Sequence, residues 1–106
     1  MRKLYFDLIA SGVKTVEVRV GYASMRKIQP GQDLDFLSGN ERLRTRVTRV
    51  SEYVSFEDML QHEDPIAIGG DLGKSTDELL AMIRNIYPAE KERLGVLAIG
   101  IETPGQ

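Results

Sequence analysis

Alternation of apolar and polar residues predicts four β-strands. In KTVEVRV, three valines lie on one face of a strand, and Thr15, Glu17 and Arg19 lie on the other. DLDFLS and ERLRTRVTRVSEYV predict two more strands, joined by a hairpin at SGNE. Val47 and Val50 cannot share a face of a regular strand, so we expect a bulge near Thr48 and Arg49. The apolar run LGVLAIGIE predicts a central strand that is buried on both faces.

Three segments have the apolar spacing of helices. LYFDLIASG places Leu4, Leu8 and Ile9 at helical spacing and is followed by Gly12 at a capping position. SFEDMLQHE begins a helix at Ser55, and STDELLAMIRNIYP opens with a capping box formed by Ser75 and Glu78. DPIAIGGDLGK, between these two helices, is predicted to be a long loop. Strands and helices do not alternate regularly, which predicts an α+β fold with a small, mostly antiparallel, barrel-like sheet and two to three flanking helices.

The composition is that of an ordinary globular chain. Its 106 residues are 42% hydrophobic and 28% charged, which predicts a single domain over residues 1–106. No apolar run reaches the length of about 18 residues that a membrane span needs, and no signal peptide is apparent, so we expect a cytoplasmic protein. The chain has no cysteine, and its one histidine, His62, is expected to be an exposed surface residue. We therefore expect no metal site and no cofactor.

Charge is distributed unevenly along the chain. Residues 1–50 contain ten Lys and Arg against five acids, a balance of +5, whereas residues 51–106 contain four against eleven, a balance of −7. Such asymmetry indicates either an anionic partner for the first half or mutual attraction of the halves within one domain. A row of arginines, formed by Arg42, Arg44 and Arg46, fits a solvated strand face or a phosphate-contacting surface equally well.

Two further motifs bear on the chemistry of the chain. GGDLGKS is similar to a phosphate-binding loop, but it has three residues between the glycines where four are required, and Ser75 already serves as a helix cap. Lys14, Glu17 and Arg19 form a charged group on the first strand. They form either a surface salt-bridge ladder or a set of buried, paired charges in the mouth of a barrel. The second arrangement is the one expected of a binding site.

Four ordered segments resemble the ASCH domain family, which has a PUA-like β-barrel. LIASGVKTVEVR is similar to the family's G-x-K-x-x-E-x-R signature, with Gly12, Lys14, Glu17 and Arg19 at the motif positions. The other segments are GQDLDF, RVTRVSEYVSFEDML and IYPAEKERLGVLAIGIE. The chain is similar in size to small bacterial single-domain members, although the strand that precedes the first helix in most members is expected to be missing.

The resemblance implies binding of RNA or of a modified nucleoside or nucleotide. On this hypothesis a basic cleft holds the ligand, and its candidate residues are Gly12, Lys14, Glu17, Arg19, Arg26, Arg42, Arg44 and Arg46. Related small proteins imply an alternative, an amidohydrolase that deacylates a nucleoside such as N4-acetylcytidine, or else a ribonuclease. The candidate catalytic residues are then Lys14, Thr15, Glu17 and Asp71. Glu17 stands where the deacylases have threonine, and a carboxylate beside Lys14 favours its charged form, so binding is the favoured function.

Overall fold

The computed structural model describes residues 1–69 and 75–104. Its α-helices are α1 (Lys3–Ala10), α2 (Phe56–His62), α3 (Pro65–Gly69) and α4 (Thr76–Ile86). Its strands are β1 (Val16–Val20), β2 (Asp33–Ser38), β3 (Glu41–Tyr53) and β4 (Val96–Glu102). Two short 3-10 helices lie at Met25–Lys27 and Ala89–Leu94. None of the helices in these two described ranges is long and apolar enough to cross a membrane.

The strands form one antiparallel sheet that curls into a half-barrel, in the order β1-β4-β3-β2. β4 is central, and its residues from Val96 to Ile101 are all buried, which confirms the interpretation of its apolar run. β1 and β2 are the two edge strands. The expected α+β fold with an antiparallel, barrel-like sheet is therefore confirmed.

The predicted bulge is present in β3. The pairing of β3 with β4 shifts between Val47 and Arg49, and Val47 and Val50 consequently reach the same core. The bulge lies directly over Gly100 of β4. A Cβ at that position would lie 2.6 Å from the Thr48 Oγ1, so the close approach requires glycine.

The sheet buries a separate apolar core on each face. Val16, Val18 and Val20 of β1 pack with α2, α3 and α4 on one face, as their alternation predicted. Phe6 and Ile9 of α1 pack on the other face against β2, β3 and β4. Of the predicted apolar face of α1, Ile9 is fully buried, but Leu4 is 52% exposed because Phe6, with Ile9, is the residue that α1 turns toward the sheet.

The predicted helix caps are present. The Ser55 side chain accepts a hydrogen bond from the Asp58 N–H, and Ser75 and Glu78 form the complete capping box of α4.

The predicted loop over DPIAIGGDLGK was wrong at its start, where residues 65–69 form α3. Asp64 caps this short helix by accepting a hydrogen bond from the Ile66 N–H at 2.9 Å, and Pro65 suits the first helical position. Ile68 is buried in the core, so tertiary packing stabilises a helix too short to form by itself. The remainder of this predicted loop, residues 70–74, lies outside the described residues.

Candidate functional site

A cavity of about 380 Å³ lies beside the free edge of β1. Arg2, just before α1, and Tyr5 of α1 lie in one wall, and β1 contributes Glu17, Val18 and Arg19 to its floor. The opposite wall is largely apolar and comes mainly from α4, through Leu79, Met82, Ile83 and Ile86. Ile86 is 61% exposed because it lies at the cavity rim rather than in the core.

The charged residues of β1 and Lys14, which precedes it, hydrogen-bond to backbone groups on the free edge of the strand. Lys14 Nζ donates to the Val16 carbonyl oxygen at 2.6 Å, and Arg19 Nη1 donates to the Val18 carbonyl oxygen at 3.1 Å. Glu17 Oε1 accepts from the Val18 N–H at 3.3 Å. Exposed strand edges are sites of unwanted pairing, and charged side chains block them. This spacing of charges therefore closes the β1 edge and also brings all three groups to the cavity.

Lys14 is a buried ammonium group with three acceptors. It is 5% exposed, and besides Val16 it donates to the Ile68 carbonyl oxygen, with Glu17 Oε1 at 3.4 Å. Burial lowers the pKa of Lys14 from its ordinary value, whereas the Glu17 carboxylate opposes that shift. Two hydrogen bonds to carbonyl oxygens and the ion pair with Glu17 hold the ammonium in this position.

Glu17 has a buried oxygen atom without a hydrogen bond. Its side chain is 6% exposed, and Oε2 lies 2.9 Å from Arg19 Nη2 in an orientation that does not make a hydrogen bond. Buried polar atoms are almost always hydrogen-bonded, so an exception needs an explanation. Here the ion pair with Arg19 balances the charge of Oε2, and both residues line the cavity.

Two of the predicted residues lie away from this cavity. Gly12 and Thr15 line a second, more polar depression of about 360 Å³, together with Ser11, Thr103 and Lys14, which lines both cavities. Gly12 has a φ of 83° at the end of α1, which explains the glycine at this turn. The Thr15 side chain is exposed in that depression. Asp71, the other candidate acid, lies outside the described residues.

The arginine row lies at the opposite edge of the sheet and contacts aspartates. Arg44 Nε donates to Asp35 Oδ1 at 3.1 Å, and Arg42 approaches the same carboxylate at 3.8 Å. Arg46 pairs in register with Asp33 and is exposed. The row belongs to the β2–β3 hairpin, whereas the cavity adjoins β1, so the structure does not bring these arginines together with Lys14.

Arg26 holds two chain segments together rather than lining the cavity. Its guanidinium donates to the carbonyl oxygens of Gly21 at 3.0 Å and Leu94 at 2.5 Å, and it pairs with Glu52. A Cβ at Gly95 would lie 2.7 Å from this guanidinium. Arg26 therefore joins the end of β1 to the segment before β4.

The residue pattern did not reveal a second buried carboxylate, Glu63. Arg49 donates to both of its oxygen atoms, at 2.6 and 3.0 Å, and the Tyr53 hydroxyl donates to Oε2 at 2.5 Å. The Arg49 guanidinium lowers the pKa of Glu63, and the hydrogen bond to Glu63 raises the pKa of Tyr53. No sequence signal links Glu63 to Arg49, because 14 positions separate them. The cluster fastens the end of α2 to β3 and lies outside the cavity lining.

Within residues 1–69 and 75–104, no group of three or more His, Asp or Glu side chains is placed to hold a metal ion. The described site is thus an apolar cavity with a cationic and carboxylate floor, on an α+β half-barrel. The profile of the ASCH domain matches residues 1–105, and the chain belongs to that family. The family in general has a PUA-like fold that binds RNA.

Two solved structures have the same fold. The crystal structure of the hypothetical protein PH0355 is similar over 97% of this chain and 94% of its own, with 33% identity and a TM-score of 0.88. The solution structure of protein PF0455 from Pyrococcus furiosus is similar over 100% of this chain and 94% of its own, with 32% identity and a TM-score of 0.81. No curated protein matches the chain.

Proposed function

We propose that the cavity beside β1 binds one nucleotide unit, either free or within RNA. The observation that carries this proposal is a cavity with a largely apolar wall that the charged side chains of Glu17 and Arg19 also line. Nucleobases combine a flat apolar face with N–H groups at their edge, so a base can pack on the wall and donate to Glu17. Arg19 and Arg2 supply cations for the phosphate.

The aromatic residues of the cavity support a base as the occupant. Tyr5 and Tyr87 both line it, on α1 and after α4 respectively. Tyr87 is held by stacking against Phe56, with ring centroids 5.8 Å apart. Stacking of a base on an aromatic ring contributes about 1–3 kcal/mol and does not depend strongly on sequence.

Two contacts weigh against the deacylase alternative. Lys14 Nζ donates to the carbonyl oxygens of Val16 and Ile68 and lies 3.4 Å from the Glu17 carboxylate, which favours the ammonium form that has no lone pair for activating a nucleophile. Thr15 lines the other depression, which Lys14 also lines but Glu17 does not, so Lys14, Thr15 and Glu17 do not meet in one cavity. A sensitive check is to incubate the protein with N4-acetylcytidine and follow its absorbance. Turnover above that of buffer would replace the binding proposal with an enzymatic one.

Isothermal titration of the full chain with the four ribonucleoside monophosphates and a short mixed-sequence RNA tests the proposal. We expect Glu17→Gln to weaken binding of the preferred nucleotide, because the amide is a poorer acceptor than the carboxylate. Glu90→Gln, at an exposed glutamate outside the cavity lining, is the matched control and should leave affinity unchanged.

Two further variants locate the site. Arg19→Ala removes a side chain that is 34% exposed, so it should weaken binding without unfolding the protein. Arg46→Gln alters the arginine row and should bind like the unaltered protein. If Arg46→Gln loses binding while Glu17→Gln and Arg19→Ala retain it, the ligand binds to the β2–β3 hairpin and the proposed cavity is wrong.

A further inference from the structure

Three cations near the C-terminal end of β1 have no carboxylate partner within the described ranges of the chain. Lys27 ends the 3-10 helix that follows β1, and Lys91 and Arg93 belong to the 3-10 helix that precedes β4. No ion pair joins any of the three to a described Asp or Glu side chain. Arg42 and Arg44 of the arginine row, in contrast, lie beside aspartates. An anionic partner can therefore contact Lys27, Lys91 and Arg93 without displacing a described carboxylate.

Contacts of Gly21 and Arg26 bring these two 3-10 helices together. The Gly21 N–H donates to the Gly95 carbonyl oxygen at 2.9 Å. Arg26 Nε donates to the Gly21 carbonyl oxygen at 3.0 Å, and its Nη2 donates to the Leu94 carbonyl oxygen. A Cβ at Gly21 would collide with that Leu94 oxygen, so glycine permits the close approach. Cations that are far apart in the chain thus lie on one part of the surface.

An exposed aromatic ring lies among these cations. Tyr22 is 39% exposed, and Lys91 Nζ lies 5.9 Å from the centroid of its ring. Of the two glutamates in the second 3-10 helix, Glu92 pairs with Arg84, and Glu90 has no ion pair with a described residue. The free cations in this region therefore outnumber its free carboxylate. We call the group formed by Tyr22, Lys27, Lys91 and Arg93 the Tyr22 surface.

The Tyr22 surface adjoins the proposed nucleotide cavity. Arg19 lines the cavity and comes three residues before Tyr22, a separation of at most about 11 Å along the chain. Tyr87 also lines the cavity, and the 3-10 helix that contains Lys91 begins two residues after it. Two segments of the cavity lining thus continue into this surface, so a polymer with one unit in the cavity can reach it with the neighbouring units.

We propose that the Tyr22 surface binds single-stranded RNA whose adjacent nucleotide occupies the cavity. This inference rests on the proposed function and names its ligand as an RNA strand rather than a free nucleotide. Cations that contact phosphates and an aromatic ring that stacks on a base are the features with which proteins bind single strands. A duplex does not suit this arrangement, because its paired and stacked bases are not free to enter a cavity.

Fluorescence anisotropy of a labelled octaribonucleotide with the full chain, and competition by ribonucleoside monophosphates, test the inference. The octamer should bind about a hundredfold more tightly than the preferred monophosphate, because its contact with the Tyr22 surface is then intramolecular. An advantage within about tenfold, which the several registers of an octamer explain by themselves, would overturn the surface.

Variants separate the Tyr22 surface from the cavity. The triple variant Lys27→Gln/Lys91→Gln/Arg93→Gln should weaken octamer binding about tenfold or more and leave monophosphate affinity unchanged. The slope of log affinity against log salt should become shallower by about 2, since three phosphate contacts are lost. Tyr22→Leu should weaken the octamer about fivefold or more through lost stacking.

The matched control is Arg42→Gln/Arg44→Gln/Arg46→Gln, which makes the same change in net charge at the arginine row and should leave octamer affinity within about threefold. Equal losses in the two triple variants, or no loss in the first, would overturn the Tyr22 surface. Failure of every monophosphate to bind would contradict the proposed function, whereas the octamer and its variants would still decide whether this surface binds RNA.

Discussion

Replacement of Lys14 by methionine tests the internal geometry of the site. The two side chains have similar lengths, so Lys14→Met removes the ammonium and retains most of the volume. In the native protein Lys14 Nζ donates to the carbonyl oxygens of Val16 and Ile68 and lies 3.4 Å from Glu17 Oε1. The variant therefore leaves two carbonyl oxygens without this donor and a buried carboxylate without its nearest buried countercharge.

The expected cost follows from these lost partners. An unsatisfied buried polar group costs about 1–3 kcal/mol, and removal of one partner from a buried ion pair costs about 3–5 kcal/mol. Because the same ammonium serves all three acceptors, these costs overlap and do not add. We expect Lys14→Met to lower the free energy of unfolding by about 3–5 kcal/mol, a fall in Tm of about 10–20 °C.

Urea denaturation followed by far-UV circular dichroism measures this change. Lys27→Met is the matched control, because Lys27 is exposed and its removal should change stability by no more than about 0.5 kcal/mol. The double variant Lys14→Met/Glu17→Gln should be less destabilised than the sum of the single variants by about 1–3 kcal/mol, since it also removes the unpaired charge. A loss below about 1 kcal/mol for Lys14→Met, or additive single effects, would refute the buried contact between Lys14 and Glu17.

The fold makes three further predictions. Gly100→Ala should destabilise the protein by about 1–3 kcal/mol in urea titrations, because its Cβ would lie 2.6 Å from the Thr48 Oγ1; a neutral effect would contradict the close approach of the bulge. Ser75→Ala removes the cap of α4 and should cost about 0.5–2 kcal/mol by the same measurement, whereas an unchanged midpoint would show that the capping box contributes nothing. The Arg49 guanidinium lowers the pKa of Glu63 below its ordinary value of 4.5, so the stabilisation from Glu63 is present above that pH and is lost as the pH falls through the lowered pKa. In the Glu63→Gln variant the free energy of unfolding should therefore fall less steeply as the pH is lowered. A fall as steep as that of the native protein would contradict the lowered pKa of Glu63.

Local patterns in the sequence predicted most of the secondary structure. The capping box at Ser75 and the bulge after Val47 each depend on residues that are close in the chain, so their signals are complete within a few positions. α3 was not predicted, because five residues are too few for helical periodicity. Its stability comes from the burial of Ile68 against distant elements.

The candidate site was predicted only in part. The alternation in KTVEVRV placed Glu17 and Arg19 on the face opposite the valines, and the structure agrees. Sequence alone did not show that Glu17 is buried, because α1 and α4, which enclose the cavity, come from opposite ends of the chain. Their arrangement is set by tertiary packing, which periodicity does not encode.

The register of the β2–β3 hairpin could have predicted which residues the arginine row faces. The turn at SGNE places Ser38 opposite Glu41, and the same register places Asp35 opposite Arg44 and Asp33 opposite Arg46. Cross-strand neighbours of opposite charge attract one another, so this register indicates that the arginines of β3 face aspartates of β2. That reasoning favours a solvated strand face over a phosphate-contacting surface.

The measurement that tests the central claim most directly is a ¹H–¹⁵N NMR titration of the full chain with its preferred ribonucleoside monophosphate. The account predicts chemical-shift changes concentrated at the cavity, in the backbone amides of Tyr5, Glu17, Val18 and Ile83. Arg44 and its neighbours in the β2–β3 hairpin should keep their shifts. Changes centred on that hairpin, or no changes at millimolar nucleotide, would contradict a nucleotide site beside β1.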